Sequence, residues 1–168
     1  EIKYEEVISI EKNNSIFEIR TDESNVFQSK TVLLAIGVSR RKLGVPGEEE
    51  FKNKGVAYCA TCDGALYKNK TVVVAGGGNA GVESALLLSK LASKVYLIEA
   101  LDELRAEKVW IDDLEKTATE IILGTKIVSI EGDKEVEKVI LDKLYNDSSE
   151  LTADAVFVEI GVDPRNDL

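Results

Sequence analysis

TVVVAGGGNAG, Thr71 to Gly81, is the stretch from which the rest of this chain can be read. Thr71–Ala75 is an unbroken β-branched and apolar run with no polar alternation. That is the pattern of a strand buried on both faces, as in a parallel sheet. Gly76-Gly77-Gly78-Asn79-Ala80-Gly81 then fits G-x-G-x-x-G, placed directly after a predicted strand and at a predicted helix start. Each glycine has its own physical reason. Gly76 permits the tight turn, Gly78 lets a pyrophosphate approach the backbone, and Gly81 lets the helix lie close to the sheet. Asn79 and Ala80 fall at the helix start, where free N–H groups and the positive dipole end favour phosphate.

Downstream, Asn79–Leu91 has helical spacing, with Val82, Ala85, Leu86 and Ser89 on one stripe. Val95–Ile98 is the next buried strand, so a βαβ unit of about 30 residues is complete. The residue after that strand is Glu99. A carboxylate there accepts hydrogen bonds from adenosine ribose hydroxyls and repels a 2′-phosphate, which favours NADH over NADPH. A plain strand end in solvent is the alternative reading of Glu99.

The remaining elements are shorter. A helix is expected near Ala106–Lys116, with strands at Glu120–Leu123, Lys126–Glu131, Val136–Asp142 and Ala155–Ile160. Tyr145–Ser149 reads as a turn and Gly161–Leu168 as an exit segment. Upstream, residues 4–10, 15–20 and 25–29 form a three-stranded antiparallel meander between turn signals. Residues 31–36 (TVLLAI) read as another buried strand, and Val38–Glu50 as a charged linker containing the Pro46-Gly47 turn.

The chain has 168 residues and a net charge of −10, enough for one well-cored domain plus part of another. Its acidity disfavours nucleic acid and anionic membranes as partners. No apolar run approaches the roughly 20 residues that span a bilayer, and EIKYEE at the start is no signal peptide. The cytoplasm is the expected compartment. The sequence has no methionine and opens on Glu1 inside a strand-like run, so a fragment of a longer polypeptide is expected, with a processed N-terminus as the alternative.

Both cysteines lie in YCATCDG, Tyr58–Gly64. With no histidine, a zinc site would need two carboxylate ligands. A disulfide across so short a loop removes little unfolded-state entropy. A dithiol/disulfide that cycles is the signal carried by C-x-x-C beside a βαβ pattern. Two inert, buried cysteines remain the plain alternative.

Taken with GGGNAG, the YCATCDG stretch resembles the low-molecular-weight thioredoxin reductases, flavoproteins of the pyridine nucleotide-disulfide oxidoreductase group. The resemblance runs through Ala35-Ile36-Gly37, Leu43-Gly44-Val45-Pro46-Gly47-Glu48, Gly55-Val56, the cysteine motif and Gly161-Val162-Asp163-Pro164. It implies an α/β fold: a Rossmann-like FAD/NAD(P)-binding three-layer sandwich with a parallel central sheet and a β-meander, preceded by strands from the end of the FAD domain's first segment. On that mapping, residues 1–45 close the FAD segment, 46–161 form the NAD(P)-binding domain, and 162–168 begin the return to the FAD domain. Gly37 and Gly161 would lie at cofactor-binding turns.

The resemblance also implies roles. Cys62 would lie against the flavin and receive electrons, Cys59 would attack the partner's disulfide, and Asp63 would move the proton. Thioredoxin or a thioredoxin-like protein would be the partner, and the full-length protein a homodimer. The family's NADPH-using members carry His-Arg-Arg where this chain has Glu99-Ala100-Leu101, and only Arg105 matches a later arginine. This agrees with the Glu99 argument for NADH. Alternative readings are an NADH-dependent reductase of a glutaredoxin-like or peroxiredoxin-linked partner, and a nucleotide-sensing module without turnover. Alone, the chain is expected to be inactive.

Overall fold

A computed structural model describes residues 1–164, and they fall into two compact units: Glu1–Ser39 with the residues from Asp163, and Arg40–Val162. The division comes ahead of the junction expected after Val45. The reason lies in residues 43–51, which dock instead of linking. Glu48 and Phe51 are buried, and Ile130 donates its N–H to the Pro46 carbonyl at 2.9 Å.

The first unit contains β1 (Val7–Asn13), β2 (Ile16–Thr21) and β3 (Val26–Ser29), an antiparallel meander in the order β1-β2-β3. Left-handed Asn14 and Ser24 make its turns, as the turn residues predict. Residues 31–36 are not a strand, which corrects the sequence reading. Leu33 is 92% exposed. An apolar run becomes a buried strand only where neighbouring strands accept its backbone hydrogen bonds, and no described strand pairs with this one. β4 (Val38–Arg40) pairs with the last described strand, Val162–Pro164. The return segment is thus seen to Pro164, and the remainder of 162–168 lies outside the described residues.

In the second unit, β5 (Val56–Ala57) leads into the four-residue α1 (Ala60–Asp63) and a 3-10 turn (Gly64–Tyr67). Then come β6 (Thr71–Ala75), α2 (Asn79–Leu88), β7 (Lys94–Ile98), α3 (Lys108–Leu114) and β8 (Glu120–Ile122). β9 (Ile127–Gly132), β10 (Val136–Tyr145) and β11 (Ser148–Thr152) follow, and then β12 (Ala155–Val158). β11 was not expected: its sequence, SSELT, is too polar to signal a strand. The left-handed Asn146-Asp147 pair turns β10 back onto it.

The central sheet has the order β5-β12-β6-β7-β8, and its pairings are parallel. Alternation along its strands builds two cores. Val72, Val74, Val95, Leu97, Ala155 and Phe157 face Val82, Ala85 and Leu88 of α2 and Leu114 of α3. Val73, Ala75, Ile98, Val156 and Val158 face Ile127, Ile130, Val136 and Val139 of the antiparallel sheet β9–β11. The result is a three-layer sandwich: helices, parallel sheet, antiparallel meander. Each fully buried Val or Leu contributes on the order of 2 kcal/mol. That two-sided burial is what the unbroken TVVVA run specifies.

Candidate active site at the carboxyl edge of the sheet

Parallel strands end together. Ala75 pairs with Ile98 and with Val158, and Phe157 pairs with Ala57. The residues that follow along this edge are therefore the Cys59 segment, Glu159, Gly76 and Glu99. Ligands of open α/β sheets bind outside the carboxyl ends of the strands.

At one end of this row Cys59 and Cys62 are joined by a disulfide, with Cα atoms 5.3 Å apart. Cys59 begins α1 in extended conformation. Its Sγ accepts the Cys62 N–H at 3.2 Å, and its carbonyl accepts from Cys62 and Asp63 at 3.2 and 3.0 Å. A disulfide sulfur has no hydrogen, so the Thr61 hydroxyl donates to Cys59 Sγ at 3.3 Å. Cys62 is exposed, while Cys59 and Asp63 are half-buried.

The approach to Cys59 is fixed by a buried carboxylate. Glu48, 2% exposed, accepts from the Leu43 N–H at 2.9 Å, the Gly44 N–H at 2.7 Å and the Tyr58 hydroxyl at 2.9 Å. Burial and the Glu48 charge push the Tyr58 hydroxyl far above its ordinary range, so it remains a donor. Glu48→Ala would leave three donors without an acceptor. It is expected to cost about 3 kcal/mol or more in a urea unfolding titration.

In the middle of the row lies the glycine loop. Gly76 has φ +118, and a Cβ on Gly81 would stand 1.8 Å from the Gly76 carbonyl oxygen. The tight turn and the close helix approach are therefore both present. Nothing lies within 4 Å of a Cβ position at Gly78, which leaves room for a ligand's approach. An open cleft of about 600 Å³ runs along the loop, in the size range of small-molecule sites. Gly76, Gly78, Asn79, Ala80, Glu99, Arg105 and Gly161, expected from sequence, all line it. Gly81 sits behind them in the helix. Gly37 belongs to the first unit.

Several of these residues also hold the loop itself. The Glu99 carboxylate accepts from the Gly77 N–H through one oxygen and from the Leu101 N–H, at 2.9 Å, through the other. Each oxygen keeps a further lone pair for a hydroxyl. Arg105 donates its backbone N–H to the Gly77 carbonyl at 2.9 Å. Asn79 Oδ1 accepts the Glu107 N–H at 2.8 Å, which anchors the start of α3. These residues fit a dinucleotide: an opening at Gly78, free helix N–H groups, and a carboxylate, Glu99, in the same cleft.

Among the cleft residues that sequence reasoning did not assign to the site are Arg41, Gly77, Lys126 and Glu159. Arg41 reaches the cleft through its backbone N–H bond to the Gly161 carbonyl, and Lys126 through the start of the antiparallel layer at β9. Glu159 gave one signal, an acid within the apolar run AVFVEI.

The profile of the pyridine nucleotide-disulphide oxidoreductase family matches residues 2–168. Over 166 residues the chain is 41% identical to thioredoxin reductase of Treponema pallidum, covering 98% of this chain and 54% of that protein. It is 38% identical over 168 residues to NADH dehydrogenase of Ferdinandcohnia aciditolerans, covering 99% of this chain and 32% of that one. Among solved structures, thioredoxin reductase from Giardia duodenalis superposes with a TM-score of 0.83 at 34% identity, covering 99% of this chain and 55% of that chain. The chain therefore spans 54% or less of the length of the two curated relatives.

Proposed function

The chain belongs to the pyridine nucleotide-disulphide oxidoreductase family, and from that premise we propose that it carries the nucleotide-binding and disulfide-bearing part of a flavin-dependent protein-disulfide reductase of thioredoxin reductase type. The observation that carries this reading is the placing of a disulfide and a dinucleotide cradle at the ends of strands in one parallel sheet. FAD, when bound to the full-length protein, would supply the relay of an electron pair between a nicotinamide and a disulfide. Gly37 and Gly161 are the residues here that would approach it.

The chain's own residues do the rest. Opening the Cys59–Cys62 bond takes two electrons and two protons. Cys62 is the sulfur that receives the electron pair. Cys59 then becomes the nucleophile toward a disulfide on a thioredoxin-like partner. Asp63, next to Cys62, hands over the proton. The Thr61 hydroxyl and the Cys62 N–H both already point at Cys59 Sγ, where a thiolate would form. A homodimer of the full-length protein belongs to the same reading.

NADH is the favoured nucleotide. Glu99, which already orders the loop, would oppose a 2′-phosphate by like charge, and a relative at 38% identity is named NADH dehydrogenase. Titration of the chain, followed by Trp110 fluorescence or calorimetry, is expected to give NADH an affinity about tenfold or more above NADPH, the equivalent of roughly 1.4 kcal/mol. Equal affinities would remove Glu99 from this role. Glu99→Arg with Ala100→Arg is expected to move the ratio toward NADPH. Both affinities should fall, because Gly77 and Leu101 lose their acceptor.

The decisive experiment uses the full-length protein. NADH is expected to bleach its flavin absorbance and release free thiols from an added oxidised thioredoxin. Bleaching without thiol release would favour a different acceptor, and neither would favour a sensing module. The present chain with added FAD is expected to show no turnover.

A further inference from the structure

β12 enters the sheet between the strand that leads to the disulfide and the strand that leads to the glycine loop. The residue at its end is Glu159, next in register after the Val158–Ala75 pair and beside the segment carrying Cys59. Its side chain is 7% exposed. Oε1 accepts from Ser84 of α2 at 3.0 Å, and Oε2 faces Arg40 Nη1 at 3.4 Å. The backbone N–H of Ala60, the residue after Cys59, also stabilises its charge. Ser84, Arg40 and Ala60 are thus its partners from α2, β4 and α1, and Arg40 is the charged one among them. No role proposed above uses this acid.

We propose that Glu159 is a positioning residue for the sulfur pair: it ends β12 beside the segment that carries Cys59, and its buried charge opposes ionisation of the reduced cysteines. This rests on the redox reading of Cys59 and Cys62. A thiolate forming beside a desolvated carboxylate meets like-charge repulsion that water would otherwise screen. Destabilising the reduced, ionised form makes the pair a stronger reductant, the reverse of the case in which a stabilised reduced form makes a strong oxidant. A pair that must pass electrons onward gains from this.

Burial is the main influence on Glu159 itself and raises its carboxyl above the ordinary range. A group with that shift takes stability away as pH rises from its unfolded to its folded pKa. The neutral amide in Glu159→Gln escapes that loss, so the variant is expected to fold.

The test uses the chain with dithiothreitol as the probe. The reductant's two thiols close to a cyclic disulfide, the Cys59–Cys62 bond breaks, and two protons end on the two sulfurs. Two quantities are read. One is the fraction reduced across mixtures of reduced and oxidised dithiothreitol at pH 7. The other is the pH profile of iodoacetamide alkylation of the reduced chain. Glu159→Gln is expected to shift the equilibrium toward the reduced pair by up to about threefold, and to move the alkylation midpoint about half a pH unit lower. Glu159→Asp, which keeps the charge, is expected to stay near wild type. A merely structural role would change the melting temperature and leave the alkylation midpoint in place. Overlapping wild-type and Glu159→Gln profiles, or an equal shift in Glu159→Asp, would overturn the inference. Should Glu159→Gln not fold, Glu159→Ala is read in the same assays with the same expectation. A wild-type pair that dithiothreitol cannot open would overturn the underlying redox reading, and this one with it. A pair that opens but ignores the loss of the carboxylate overturns this inference alone.

Discussion

Gly76→Ala is expected to lower the stability of the chain by about 3 kcal/mol and to weaken NADH binding by about a hundredfold or more. Two independent causes act at this position. The backbone there has φ +118, which side chains with a Cβ rarely adopt. The added Cβ would also stand 2.5 Å from the Glu159 carbonyl oxygen and 2.8 Å from its carbon. Both are main-chain atoms at the end of a central strand and cannot rotate away. Either β12 or the glycine loop must move. The loop is the softer of the two, because β12 is hydrogen-bonded on both sides. Movement of the loop takes with it the Gly76 N–H bond to Ile98 and the Gly77 contacts to Glu99 and Arg105. Urea titration reads the first effect and nucleotide titration the second. A variant that melts and binds like wild type would show that the cradle is not built around this turn.

Cys59→Ser and Cys62→Ser, each made in the full-length protein, are expected to reduce turnover with a thioredoxin-like disulfide on the order of a thousandfold or more. A serine hydroxyl cannot form the S–S bond that stores the electron pair, so losing either sulfur breaks the cycle completely. The two variants should nevertheless differ. If Cys62 is the electron-receiving sulfur, Cys62→Ser leaves a nucleophilic Cys59 with no route of reduction. Cys59→Ser leaves Cys62 a lone thiol, with no disulfide to take up an electron pair and no Cys59 to attack the partner. Trapping with oxidised partner should therefore give a stable mixed disulfide through Cys59 in the Cys62→Ser protein. A mixed disulfide formed only through Cys62 would reverse the assigned roles. Fold stability should change little, because the loop closed by this disulfide is short.

The parts of the molecule legible from sequence are those fixed by short-range chemistry. TVVVA announces a strand buried on both faces, and the residues around it bear this out: Val72, Val73 and Val74 are 0% exposed. The glycines announce a turn and a close approach, because no other residue fits a backbone-to-backbone gap of that kind. Asn14, Ser24 and Asn146 mark turns through local preferences of the same sort. Even so, the short range misleads at 31–36. TVLLAI carries the apolar content of a strand, but strand formation also needs hydrogen-bond partners supplied from elsewhere. It misleads differently at Asn79 and Glu99. Read as ligand contacts, both also hold the loop to its surroundings. A side chain's hydrogen-bond partners are not written into its own neighbours in sequence.

What the sequence determined by itself is therefore the βαβ unit, its glycine loop, the carboxylate that follows and the spacing of two cysteines, all of them features within the stretch from Cys59 to Glu99. What only the tertiary structure decided is that a strand some eighty residues beyond the loop, β12, inserts between β5 and β6. That insertion sets the disulfide and the cradle two strands apart and places Glu159 between them. Parallel pairing joins strands whose register depends on the packing of both sheet faces. Here one of those faces is the antiparallel layer built from residues 127–152, and no local pattern near Cys59 or Gly76 encodes it.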